Sequence, residues 1–217
     1  MIRIKICGIT RREDAVAAAL AGADAIGLVF AESPRQVTIE RAREILAALP
    51  PWLCSVGVFV NEETDIVRKT AESLGLGEVQ LHGDEPPKVI TELAPLRVVK
   101  AVRVIRETFA DEVRRFSEAG AAAVLLEAPS PSVRGGSGKR FDWDLVAGAR
   151  DAGALDRAPP LILAGGLTDQ NVAAAIHLVR PWGVDVSTGV EEQPGLKSAE
   201  KMARFVAAVR GSLEPAP

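Results

Sequence analysis

The chain has 217 residues, 47% of them hydrophobic and 25% charged, enough to bury one large core or two small ones. Its 26 basic and 29 acidic side chains leave a formal charge of -3, so no basic excess exists to neutralise a phosphate backbone, and nucleic acid is excluded as an expected partner. Two cysteines and two well-separated histidines make neither a disulfide framework nor a zinc set.

The first residues already read as a strand, with Ile2, Ile4 and Ile6 alternating with Arg3 and Lys5, and the apolar stretch that follows is broken by Asp24. No signal peptide and no membrane span is expected, and the chain reads as cytoplasmic. Thr10 and Glu13 have the spacing of a capping box, which predicts a helix after strand one. Further strands are predicted over 25–30, 54–60, 78–81, 98–102, 123–126, 161–164 and 184–186, each an apolar run of the kind covered on both faces. Stretches of helical period separate them. Val172, Ala175, Ile176 and Val179 form one apolar stripe, and Met202, Phe205, Val206 and Val209 repeat it in the last helix.

Eight strand–helix units in 217 residues leave about 27 residues each, sufficient for a strand, a crossover helix and two short loops. The expectation is a single-domain α/β chain, a (β/α)8 TIM barrel near minimal size with a short tail after about residue 212; a doubly wound sheet shares the same alternation. The segment Ala21–Phe30 echoes Ala119–Leu126 four units later. A half-barrel repeat would place them so, and so would a glycine that caps a helix before any apolar strand.

In a barrel the chemistry sits on loops at the carboxyl ends of the strands. The polar residues there are Cys7, Arg35, Asn61, His82, Arg103, Glu127, Gly165-Gly166 and Ser187-Thr188-Gly189. The seventh and eighth loops, Ala164-Gly165-Gly166-Leu167 and Asp185-Val186-Ser187-Thr188-Gly189, suit an anion: glycine lets backbone N–H groups approach it and the hydroxyls add donors. Gly135-Gly136-Ser137-Gly138-Lys139 is not a P-loop, because Val133 and Arg140 stand where Gly and Ser or Thr belong; it lies in a long loop after strand six, of the length used by lids and binding loops. Cys7 ends strand one and can face the barrel mouth, whereas Cys54, between Leu53 and Val56, reads as an inert core thiol. An apolar strand that delivers Glu127 lowers the solvation of its carboxyl group and favours the protonated form a general acid needs. His82 is placed either to bind phosphate or substrate or to satisfy a buried carbonyl, and His177 reads as an inert helix residue.

Lys5-Ile6-Cys7-Gly8-Ile9-Thr10, Ser33-Pro34-Arg35, Val56–Asn61 and Val79–Glu85 closely resemble the phosphoribosylanthranilate isomerase family of tryptophan biosynthesis. Gly135–Gly138 with Phe141-Asp142-Trp143, Ala164–Leu167 and Gly183–Glu191 extend the resemblance to the last loop. It implies a (β/α)8 barrel without metal or organic cofactor, monomeric or homodimeric, acting on a small phosphoribosyl substrate by an Amadori rearrangement. It implies Cys7 as general base, the acid after strand six as general acid, Arg35 as partner of the anthranilate carboxylate, and Gly136, Gly165, Gly166, Asp185, Ser187, Thr188 and Gly189, together with His82, as substrate-binding positions. One departure stands out: that acid is usually Asp in the family and is Glu127 here, so Asp142 or Asp185 would take the role if Glu127 pointed away. The alternatives are another phosphosugar barrel, either a histidine-pathway isomerase or a tryptophan-pathway lyase, and a non-catalytic phosphate-binding barrel.

Overall fold

The computed structural model describes residues 1–129 and 141–212. Eight parallel strands close into a barrel in chain order: β1 Arg3–Cys7, β2 Ala25–Val29, β3 Cys54–Phe59, β4 Glu78–Leu81, β5 Arg97–Arg103, β6 Ala123–Glu127, β7 Leu161–Leu163 and β8 Gly183–Val186. The helices are α1 Arg12–Ala21, α2 Ile39–Leu46, α3 Thr64–Leu74, α4 Lys88–Glu92, α5 Phe109–Glu118, α6 Asp144–Asp151, α7 Val172–Val179 and α8 Ala199–Gly211. Every expected strand is present within one or two residues of its expected bounds. Closure removes the doubly wound alternative, because β1 pairs with both β2 and β8.

Strand side chains alternate between the two faces of the sheet, and here they feed two cores. Outward residues such as Ile4, Ile6, Val98, Val124 and Leu126 pack in one continuous layer with the helices, including Val172, Ala175, Ile176 and Val179 of α7 and Met202, Phe205, Val206 and Val209 of α8. Inward residues Val99, Ala101, Ala123, Leu125, Ile162 and Ala164 form a smaller cluster inside the barrel. Polar side chains also enter the interior. Lys5, Gln80 and Asp185 are all buried, inward residues of β1, β4 and β8.

The capping box is not formed. Helix α1 begins at Arg12 with no side-chain cap, because the Thr10 hydroxyl instead donates to the Gly195 carbonyl at 2.5 Å, while Arg11 binds the Asp14 carboxylate through Nε and Nη2. The two echoing segments share a local feature. Gly22 and Gly120 both take left-handed backbone (φ 93° and 89°) at helix ends, with Gly22 N–H donating to Ala19 O and Ala23 N–H to Ala18 O, and Gly120 N–H to Ser117 O and Ala121 N–H to Phe116 O. Both are helix-terminating turns that only an achiral residue adopts without cost.

One element was not foreseen. After β8 and a 3-10 turn over Thr188–Val190, the chain forms a two-stranded antiparallel hairpin, β9 Glu191–Gln193 with β10 Leu196–Lys197, before α8. Strands of three and two residues carry too little alternation to be read from sequence.

Candidate active site

A cavity of about 630 Å³ opens at the carboxyl end of the barrel. Cys7, Arg35, His82, Glu127, Gly165, Gly166, Asp185, Ser187 and Thr188 line it. Gly189 stands behind the wall: a Cβ on it would lie 2.0 Å from the Leu167 carbonyl, so its lack of a side chain lets the seventh and eighth loops pack backbone to backbone. Gly136 and the rest of the Gly135–Lys139 segment lie outside the described residues. Asn61 and Arg103 do not line this cavity; the Asn61 side chain accepts from Asp84 N–H at 2.7 Å, and Arg103 pairs with Asp84 at 3.3 Å.

Cys7 is the last residue of β1 and shares its inward parity with Lys5. Its sulfur fits because β2 carries Gly27 beside it: a Cβ there would come within 2.7 Å of Cys7 Sγ and 3.2 Å of Lys5 Cε. Burial pushes the Cys7 thiol up from its ordinary value and outweighs the downward pull of Lys5 and Lys197, while Asp185 adds to the rise. Cys54, the half-buried first residue of β3, is pushed up to about 11 by burial and by Glu78, which its thiol approaches at 3.7 Å. It lies outside the cavity.

Glu127 closes β6 with the parity of Ala123 and Leu125, so the strand aims it into the barrel, 9% exposed. Its Oε2 lies 2.9 Å from His82 Nε2. Asp142, by contrast, is half exposed outside the cavity, 3.9 Å from Arg106, and Asp185 is held by Lys5 at 2.9 Å. His82 lines the cavity but does not serve a buried backbone carbonyl. Its two ring nitrogens face side chains, Nδ1 toward Gln80 Nε2 at 2.6 Å and Nε2 toward Glu127.

Arg35 enters from the β2–α2 loop, and its guanidinium makes a two-pronged contact with Glu191, Nε to Oε1 and Nη2 to Oε2, each 2.8 Å. Glu191 also accepts from Lys197 Nζ at 2.8 Å, and Lys197 in turn donates to the Ser187 carbonyl at 3.1 Å and hydroxyl at 3.3 Å. Burial would raise the Glu191 carboxyl, but Arg35 and Lys197 hold it below its usual range. Burial lowers Lys197, and Glu191 offsets only part of that. The unforeseen hairpin thus fixes both the cation of the second loop and the hydroxyl of the eighth. Gly165 and Gly166 follow β7 with consecutive positive φ angles (84° and 63°), which residues with a side chain adopt only at a cost.

Sequence reasoning missed Lys5 and Gln80. Both interrupt apolar strands at positions two residues before a candidate, Cys7 and His82, and that shared parity is the signal that could have found them.

Among the described residues no group of three or more His, Cys, Asp or Glu is arranged to hold a metal ion, and no helix is long and apolar enough to cross a membrane. The family model for N-(5'-phosphoribosyl)anthranilate (PRA) isomerase matches residues 4–208. Curated relatives of that name include one from Pelobacter propionicus, 48% identical over 95% of this chain and 94% of its own length, and one from Acidithiobacillus ferrooxidans, 49% identical over 98% and 99%. Among solved structures, the phosphoribosyl anthranilate isomerase of Thermotoga maritima superposes with a TM-score of 0.88 at 41% identity, over 97% of this chain and all of that one. A second isomerase structure, in complex with reduced 1-(o-carboxyphenylamino)-1-deoxyribulose 5-phosphate, gives 0.85 at 40% identity with the same coverage.

Proposed function

The chain belongs to the N-(5'-phosphoribosyl)anthranilate isomerase family, and from that premise we propose that it converts N-(5'-phosphoribosyl)anthranilate to 1-(o-carboxyphenylamino)-1-deoxyribulose 5-phosphate with Cys7 as base and Glu127 as acid. The observation that carries this assignment is that the thiol and the carboxyl group face one cavity from β1 and β6, with the Gly165-Gly166 and Ser187-Thr188 turns on the same wall. A phosphosugar fills such a space with its phosphate on the turns and its ring between the two groups.

Glu127 gives its proton to the furanose ring oxygen as the C1–O bond breaks, and the anthranilate nitrogen lone pair forms the C1=N bond of a protonated Schiff base. That cation acidifies the C2 proton. It also places positive charge next to the cavity's thiol, which favours the thiolate that burial disfavours in the empty site. Cys7 removes the proton, the C2–H electrons form the C1=C2 bond, and the nitrogen recovers its lone pair. Protonation at C1 and loss of the C2 hydroxyl proton then give the ketone. No atom is gained or lost, and the two side chains exchange protons only.

Phosphate falls to the seventh and eighth loops, and the substrate's aromatic carboxylate to Arg35, whose Nη1 donors are not engaged by Glu191. The domain is the whole barrel. Anthranilate-type fluorescence of the substrate should disappear on adding the protein. Cys7→Ala should stop that decay while Cys54→Ala leaves it at the wild-type rate; full activity in Cys7→Ala overturns the assignment of the base.

A further inference from the structure

A row of buried side chains crosses the barrel interior and reaches the cavity at both ends. Lys5 Nζ donates to Asp185 Oδ1 at 2.9 Å and to Gln80 Oε1 at 3.0 Å, Gln80 Nε2 faces His82 Nδ1 at 2.6 Å, and His82 Nε2 faces Glu127 Oε2 at 2.9 Å. The same ammonium lies on the strand face of the Cys7 thiol and favours its charged form. An ammonium group has donors only, and an amide has one donor end and one acceptor end. Lys5 therefore obliges Gln80 to present its oxygen, and Gln80 obliges its NH2 to face His82. The ring nitrogen Nδ1 must then accept, so the single ring proton sits on Nε2, pointed at Glu127. Burial lowers the Lys5 pKa, but Asp185 and Cys7 outweigh it and raise the net value, so the ammonium that starts the chain is present at neutral pH.

We propose that Gln80 is a positioning residue that sets the tautomer of His82 and thereby aims the proton of Glu127 at the substrate. Resting on the reading of Glu127 as the acid, the argument is one of direction. A protonated Glu127 whose Oε2 accepts from His82 must carry its proton on the other oxygen, which is free to face the sugar. After transfer the same His82 N–H steadies the carboxylate. The reverse tautomer would instead offer a bare Nε2, and the acid's proton would turn to His82. An imidazolium would hold Glu127 ionised, with no proton to give. Lys5 links this setting to the opposite side of the reaction, since one ammonium favours the thiolate of Cys7 and begins the chain that ends at the acid.

The test uses the free protein and its turnover separately. The chain has two histidines, and His177 is an exposed residue of α7, so a long-range 1H–15N spectrum resolves His82 readily. Wild type should show His82 with Nδ1 unprotonated and Nε2 protonated at neutral pH. In Gln80→Glu, a carboxylate would accept from both Lys5 and His82, so Nδ1 should become protonated and kcat should fall about 10²-fold with KM within about threefold. Gln80→Leu, which removes the constraint without adding charge, should give a mixture of tautomers and a smaller loss. A wild-type His82 that is protonated at Nδ1 overturns the proposal, as does a Gln80→Leu protein with wild-type kcat and tautomer. If Gln80→Glu does not fold, the wild-type spectrum and Gln80→Leu decide the matter. Failure of the acid assignment is read elsewhere, as undiminished turnover in Glu127→Gln, and would leave the tautomer result standing.

Discussion

Cys7 carries the proposed base chemistry in surroundings that resist it. Burial raises its pKa, and the two nearby ammonium groups only partly compensate. The base is the thiolate, so in the free enzyme added protons disarm Cys7 and their removal arms it. The expected outcome is a kcat/KM that climbs with pH through the neutral range and is still rising beyond about 8.5, the ordinary thiol value. Measuring kcat/KM against pH for wild type and for Cys54→Ala checks this: both profiles should coincide, and a plateau already reached below neutrality would show that the site holds a preformed thiolate. Cys7, Glu127 and His82 were each visible in the sequence as polar residues ending apolar strands. What each would touch was not. A buried carbonyl was offered to His82 because the sequence does not show that Gln80 of β4 and Glu127 of β6 take its two ring nitrogens, with Lys5 of β1 behind Gln80.

Among the elements, the hairpin β9–β10 does the most for the site relative to its size. Glu191 at its start accepts from Arg35, Lys197 and the Gly195 N–H, and its side chain is 5% exposed. Neutralising it leaves two buried cations facing each other without an anion. Removing one partner of such a buried set costs about 3–5 kcal/mol, so Glu191→Gln should lower the melting temperature by about 10 °C. Lys197, already lowered by burial, would then lose its proton more readily. A calorimetric scan checks the prediction, and a melting temperature within a degree or two of wild type would mean that solvent replaces the carboxylate. The larger elements were readable because most strands are apolar runs broken at most by a single residue such as Lys5 or Gln80, and the last two helices carry clear stripes. The hairpin was not, and the capping box was misplaced for a related reason. Thr10 has the right spacing, but the Gly195 carbonyl that captures its hydroxyl belongs to the hairpin, 185 residues away.

For the whole molecule the closure of the barrel is the step that sequence pattern supports only by counting: eight units of about 27 residues suffice, yet nothing local states that β1 meets β8. The structure shows what stands at that seam. Arg3, Ile4, Lys5 and Ile6 of β1 are in register with Gly183, Val184, Asp185 and Val186 of β8, so the Lys5–Asp185 ion pair joins the first strand to the last directly across the closing ladder. Both side chains are under 10% exposed, which makes the pair costly to break from one side and cheap to remove from both. Lys5→Met should destabilise the barrel by about 3–5 kcal/mol, because it leaves Asp185 charged and buried without its cation. Adding Asp185→Asn should restore a large part of the loss, since the remaining amide needs only hydrogen bonds. Denaturation of wild type, the two single variants and the double variant forms the cycle that measures it. A coupling energy near zero would mean that the seam is held by the backbone ladder and the apolar layer alone. A coupling of about 2 kcal/mol or more would show that the same ammonium group facing Cys7 and Gln80 also locks the ends of the sheet together, which ties the polarity of the site to the closure of the fold.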